Sequence, residues 1–278
     1  MEQMKKVISY AIFGEKERTP ENSFEFFTYM RGLFFNVIMN RLIYPAFTTH
    51  IETDVHTFSA YDHIFRWMQE SMGCTLSINE QRPLCLSMLW RMKPVFDTNN
   101  EYVFCRDSDA LTTYREAQAV QEFLHSGLVV HNIADNPSHT SSIMGGLCGF
   151  KCEPIKEKYG TWDGLLAQCA DINFAVKGSD QNLLNRTIYT EFINQMFVHL
   201  LSSGNSYGEK KVSHYLDETQ ELEGVPQRLY ESNFCIKFIG AAGCVELETV
   251  RFFKRFCPEL LECGGKDIYY PKIFNWVN

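Results

Sequence analysis

Through its first 130 residues the chain alternates short apolar runs with longer segments of helical period, and turn formers mark the changes. Strands that alternate with helices of this length fold as right-handed βαβ units around a mostly parallel sheet. Residues 7–13 read as a buried strand ending at Gly14. Residues 23–40 follow as a helix capped near Ser23, with Phe24, Phe27, Phe34, Val37 and Ile38 among its apolar positions. A second strand covers 48–54. A helix covers 60–71, with Tyr61, Ile64, Phe65 and Met68 in phase and Gly73 as its stop. Residues 74–78 form a third strand, Pro83 opens a helix to Met92, and 102–105 form a fourth strand. A helix over 114–125, Gly127 and a strand over 128–131 complete this half.

The second half is less regular. Residues 137–151 are rich in Ser and Gly, as in a loop that closes around a ligand. Residues 180–201 predict one long helix, with Leu184, Ile188, Phe192, Met196 and Leu200 on one side. The segment 202–225 is polar and loop-rich, and 235–239 reads as a further strand. No internal repeat or linker interrupts the chain. The expectation is a single domain over 1–278 with two lobes, one to about 110 and one from 111 onward.

Composition removes several function classes. A formal charge of −8 and the lack of any Lys/Arg-rich run argue against nucleic acid as a partner. Ten cysteines include no CxxC pair, so neither a zinc cage nor a disulfide framework is expected, and unpaired thiols suit a reducing compartment. The apolar run 7–13 is too short to span a membrane. The localisation expected is therefore the cytoplasm.

The residues that carry chemistry stand in YVFCRDSDAL, residues 102–111. A buried strand delivers Asp107 and Asp109, one residue apart, to its C-terminal end, the edge at which open α/β sheets bind ligands. Hard carboxylate oxygens at this spacing suit Mn²⁺ or Mg²⁺, and these ions also bind phosphates. Elsewhere, Gly145 and Gly146 would let backbone approach a ligand closely. Arg91 and Arg115 are candidate phosphate or sugar contacts, and Asp54, closing the second strand, a candidate ribose or base contact.

The pattern formed by RDSD (106–109), Arg115-Glu116, AVQEFL (119–124), Ser126, HNIADNPSH (131–139), Gly145-Gly146 through Lys151, and DQNLL (180–184) resembles nucleotide-sugar glycosyltransferases of the GT-A fold. More narrowly it is similar to those of large DNA viruses and bacterial polysaccharide loci, which would place a viral member in the host cytoplasm. The family pattern has Arg where Ala134 stands. The resemblance implies an α/β, GT-A-like (Rossmann-related) sheet flanked by helices. It implies a nucleotide-sugar donor, held by Asp107 and Asp109 through the cation with Ser108 between them, and a glycan or glycoprotein acceptor. It also implies His199, with His214 second, as a further metal or diphosphate contact, and Asp180, with Asp135 as runner-up, as the base of an inverting transfer. A haloacid-dehalogenase-like phosphatase also uses a paired-aspartate strand end, but it requires Thr or Val where Leu111 stands. A nucleotidyltransferase would need a glycine-rich loop near Gly14. A non-catalytic sugar-binding module would bind donor and cation without turnover.

Overall fold

The structure is a computed structural model that describes residues 4–19, 23–134, 139, 141–200 and 211–214. The strands are β1 (Lys5–Ile12), β2 (Thr48–Asp54), β3 (Thr75–Asn79), β4 (Asn100–Arg106), β5 (Val130–Ala134), β6 (Leu147–Lys151), β7 (Met196–Leu200) and β8 (Lys211–His214). They form one sheet in the order β3-β2-β1-β4-β6-β5-β7-β8. Every pairing is parallel except those of β6, which runs against both β4 and β5. This is the mostly parallel, helix-flanked α/β sheet that the alternation led us to expect.

Both faces of the sheet are covered, because side chains alternate along each strand and each face meets its own core. On β4, Tyr102 and Phe104 join an aromatic-rich core that also holds Tyr10, Phe34, Phe65 and Phe123. Val103 and Cys105 point the other way, into a core with Val7, Phe150, Ile155, Leu184 and Val198. Each such side chain contributes about 1.5–3 kcal/mol on burial. The long helix α1 (Ser23–Ile43) is buried almost all round in its described part. Asn36 and Asn40 are buried along it as well, and buried amides of this kind must find partners. The helices that follow are α2 (Val55–Ala60), α3 (Asp62–Glu70), α4 (Leu84–Met88), α5 (Tyr114–Ser126), α6 (Cys152–Tyr159), α7 (Trp162–Ala167) and α8 (Ser179–Leu184).

The helix expected over 60–71 is α3, and the short helix α2, which meets it at Tyr61, was not anticipated. Three expectations need correction. The helix opened by Pro83 is α4 followed by a 3-10 stretch, Leu89–Phe96, that contains Pro94, whose missing amide suits a short tight helix better than an α-helix interior. The loop expected over 137–151 ends in β6. Finally, the helix expected over 180–201 stops early. It is α8, a π turn over Asn185–Tyr189 and two short turns, after which residues 196–200 form β7 with all five residues buried. Met196 and Leu200 fit a helical spacing by coincidence. The uninterrupted MFVHL run satisfies a strand covered on both faces, where period-2 alternation vanishes. The strand expected at 235–239 lies outside the described residues, as does Asp135.

The six described cysteines, Cys74, Cys85, Cys105, Cys148, Cys152 and Cys169, are all buried free thiols. Burial pushes the Cys74 and Cys152 thiols up to about 12, so they behave as small apolar groups. Among the described residues, no helix is long and apolar enough to cross a membrane.

Candidate functional site

β4 ends at Arg106, and the next four residues turn out of the sheet before Thr113 caps α5 by accepting from the Glu116 amide at 3.2 Å. Helix α1 shapes this turn. The Asn36 side chain donates to the carbonyls of Ser108 (3.0 Å) and Ala110 (2.9 Å) and accepts from the Thr112 amide at 2.8 Å. One turn further along the helix, Asn40 accepts from the Thr112 hydroxyl at 2.9 Å. One turn before Asn36 stands Gly32, where a Cβ would lie 2.0 Å from the Ser108 carbonyl oxygen and 2.9 Å from the Asp109 Cα. Only a residue without a side chain lets α1 approach so closely. The stripe Gly32, Asn36, Asn40 escaped the sequence analysis. A glycine and two asparagines at i, i+4 and i+8 in an otherwise apolar helix were its only trace.

On the other side of the turn lie residues distant in sequence. Arg91 is buried and its guanidinium is ion-paired to the Asp107 carboxylate. Gly146 lies against the same carboxylate, since a Cβ there would fall 1.9 Å from Asp107 Oδ2. A Cβ on the neighbouring Gly145 would fall 2.9 Å from Arg91 Nη2 and 3.4 Å from Asp180 Oδ2. Asp180, in the first turn of α8, is 2 % exposed, and its Oδ2 has no hydrogen-bond partner among the described residues. A buried carboxylate oxygen without a partner is costly, and such costs cluster at functional sites. Burial is the largest single influence and opposes the charge on Arg91, but nearby groups, Asp107 first and Asp180 among them, together outweigh it and keep the guanidinium charged.

Gly145 and Gly146 are brought here by the direction of β6. Its first residue, Leu147, pairs with Arg106, the last of β4, so the chain enters β6 where β4 leaves the sheet. Asn132 on β5 accepts from the Met144 amide at 2.8 Å, and Ser141 is hydrogen-bonded to Gln181 on α8, which ties this segment to Asp180. His139, absent from the candidates chosen on sequence, is buried close enough to Asp107 to feel its charge. Burial lowers its pKa and Asp107 works to raise it. Its place in HNIADNPSH was the only available signal.

The structure thus gathers Asp107, Ser108, Asp109, Arg91, Gly145, Gly146 and Asp180 at the C-terminal end of β4. Other candidates sit elsewhere or are already engaged. Asp54 ends β2, but its carboxylate accepts from Gly14 N, His56 N, Thr57 N and the Thr57 hydroxyl at 2.7–3.0 Å, which is the work of a helix cap. His199 lies on β7 rather than at a helix end. Its Nδ1 meets His131 Nε2 at 2.9 Å and its Nε2 meets Glu122 at 3.1 Å, so both ring nitrogens are used within the core. Arg115 stands half-buried in the first turn of α5, and His214 closes β8.

A second arginine sits beside the first. Arg106 donates to Glu116 at 2.6 Å and to the carbonyls of Cys105 and Cys148, and the Tyr44 hydroxyl donates to the same Glu116 oxygen at 3.3 Å. Both partners are 3 % exposed. By contrast, the Asp107 side chain of the Arg91 pair is 44 % exposed. Its carboxylate, with Asp109 two residues on, offers hard oxygen donors that can be reached from outside. Among the described residues, no three His, Cys, Asp or Glu side chains converge into a ready-made cage. Mg²⁺ and Mn²⁺ sites of the kind completed by substrate phosphates and water need only one or two carboxylates, so these residues fit a cation that arrives with a diphosphate.

No protein-family model and no curated protein matches the chain. Among solved structures it is similar to a mannosyltransferase from Pyrobaculum calidifontis in complex with GDP-Man and Mn²⁺. The identity is 14 %, the TM-score 0.45, and the match covers 83 % of this chain and 59 % of that one, so the chain spans little more than half of it. A protein described as a nucleotide-diphospho-sugar transferase from Desulfovibrio desulfuricans G20 matches at 13 % identity and a TM-score of 0.46, over 84 % of this chain and 89 % of its own. A 4-diphosphocytidyl-2C-methyl-D-erythritol synthase from Anaerococcus prevotii matches at 10 % identity and 0.44, over 83 % and 94 %. Likenesses this distant carry no argument about chemistry, and the fold is read from its own sheet.

Proposed function

We propose that the chain is a metal-dependent glycosyltransferase that moves a sugar from a nucleotide-sugar donor to a glycan or glycoprotein acceptor, with inversion at the anomeric carbon. The observation that carries this reading is the convergence, at the end of the central strand, of the exposed Asp107 and its neighbour Asp109 with a buried, unpartnered Asp180 oxygen across Gly145 and Gly146.

Under this reading Asp107 and Asp109 hold Mn²⁺ or Mg²⁺ against the donor diphosphate. When bound, the cation supplies electrostatic stabilisation of the charge that gathers on the leaving nucleoside diphosphate. Ser108 keeps the turn in register through its carbonyl bond to Asn36. Gly145 and Gly146 let the backbone pack against Arg91 and Asp107 beneath the donor, and Arg91 provides positive charge near the phosphates. Asp180 accepts the proton of the acceptor hydroxyl as that hydroxyl attacks, a role that suits a carboxylate with a spare oxygen beside the donor. Asp135 is the second candidate for the base, and Asp54 acts by ordering the Gly14 turn at the edge of the donor site.

Calorimetric titration of a panel of nucleotide-sugars, with Mn²⁺ and with EDTA, tests the reading on the native chain and Asp109→Ala. Cation-dependent binding of one donor, lost in the variant, is the expected result. Absence of binding to every donor, together with hydrolysis of simple phosphate esters, would instead assign Asp107 to phosphatase chemistry.

A further inference from the structure

We infer that Arg91 is a two-position guanidinium, paired with Asp107 until a divalent cation claims that carboxylate and then carried by Asp180, so that the state of the cation ligand is passed to the acceptor side of the site. The inference rests on the reading of Asp107 as a cation ligand. It goes beyond that reading by giving Arg91 a task other than contact with the donor.

Three observations support it. First, Arg91 is buried and pairs with Asp107, whose side chain remains 44 % exposed, so one carboxylate is open both to a fixed internal cation and to an incoming one. It cannot serve both fully. Second, Arg91 has another carboxylate within reach. Its Nη2 and Asp180 Oδ2 both lie within 3.4 Å of the point where a Gly145 Cβ would stand, and that Asp180 oxygen has no partner. A buried guanidinium stripped of its paired carboxylate would be strongly destabilised, whereas one that exchanges carboxylates keeps its compensation. Third, Gly145 lies against both groups, and only the absence of its side chain lets the Arg91 guanidinium pack there, since a Cβ would fall 2.9 Å from Nη2. Three carboxylates, Asp107, Asp109 and Asp180, against one guanidinium leave excess negative charge that a divalent cation balances. A ligand that binds only one of two arrangements shifts the population between them by its differential affinity. Cation binding therefore draws Arg91 toward Asp180, and Arg91 must yield that oxygen to the acceptor hydroxyl before Asp180 takes up its proton.

The test is titration of the whole chain with Mn²⁺ alone, followed by the electron-spin signal of the free ion. Arg91→Gln removes the competitor, and it is expected to bind Mn²⁺ roughly 10-fold more tightly than the native chain. Arg91→Lys keeps the charge and is expected to stay near the native affinity. Asp180→Asn removes the second carboxylate, so Arg91 stays on Asp107 and Mn²⁺ binding weakens by roughly 3-fold or more. In an Arg91→Gln background that effect should shrink to less than about 2-fold, because the two residues act through one another. A folded Arg91→Gln protein that binds Mn²⁺ equally or more weakly than native overturns the inference and leaves the proposed function standing. If Arg91→Gln does not fold, an unchanged Mn²⁺ affinity in Asp180→Asn overturns it on the native arginine. Absence of Mn²⁺ binding in every variant and in the native chain, with donor binding intact in EDTA, overturns both the inference and the cation part of the proposed function.

Discussion

Two buried arginines flank the end of β4, and their surroundings differ in one respect. Arg106 and Glu116 are sealed together, with the Cys105 and Cys148 carbonyls and the Tyr44 hydroxyl completing the cluster. Arg91 is as deeply buried, yet its partner Asp107 looks outward. In both pairs burial is the largest influence and would depress the guanidinium pKa, and the facing carboxylate together with its neighbours reverses it. The sealed pair has nothing to exchange with solvent and braces β4, β6 and α5. The open pair can trade its carboxylate. Charge pairing thus reports structure or function according to which partner is reachable.

The sharpest way to break this comparison is to treat both pairs alike. Arg106→Met leaves Glu116 buried without its cation and should cost about 3–5 kcal/mol of stability in urea unfolding. Next in size is Asn36→Leu, which strands two carbonyls and an amide of the 108–112 turn and should cost about 3 kcal/mol. Gly32→Ala pushes a methyl into the Ser108 carbonyl and should cost about 1–3 kcal/mol. Its cation-dependent donor binding should fall by more than the stability loss explains, because the turn that carries Asp109 must shift.

A smaller effect is expected on pH. His131, stacked on Phe123 with ring centroids 4.9 Å apart, is held well below the usual histidine range by burial, then by His199 and Arg106. Below about pH 6.5 the unfolded chain therefore takes up a proton that the folded chain refuses. Stability should fall as pH drops through that range, by up to about 1.4 kcal/mol per pH unit, and His131→Phe should flatten the slope. Smallest of all should be the stability cost of Asp107→Asn, about 1 kcal/mol or less, because the carboxylate is half in water and Arg91 has Asp180 nearby. The same substitution should abolish cation-dependent donor binding. If it destabilises the fold as much as Arg106→Met does, the distinction between the two pairs collapses.

What the sequence made legible follows from local physics. β1, β2, β4, α1 and α5 are apolar or helical runs of the right length with clear punctuation, and Asp107 and Asp109 announce themselves by following a buried strand. Gly145, Gly146, Asp180 and Arg91 were chosen as separate candidates, and their meeting depends on tertiary contacts. β7 was hidden because a strand buried on both faces loses its alternation and continued the preceding helical spacing. β6 was hidden in a glycine-containing run of five residues. The grip of Asn36 on the Ser108 and Ala110 carbonyls was invisible, since an asparagine in a helix does not name its partner. Asp54 misled for the opposite reason, because a strand-end carboxylate that caps α2 has the same sequence signature as one that waits for a ligand.

Because β6 runs against its neighbours, Gly145 and Gly146, just before it, meet the end of β4 while belonging to none of the parallel strands. Inherited insertions or exchanges in the stretch between β5 and β6 could reshape what the site admits and leave the cation ligands where they are. Under the proposed function, a lineage of such chains could diversify its acceptors and keep one donor chemistry, with the two traits drifting at different rates along a single gene.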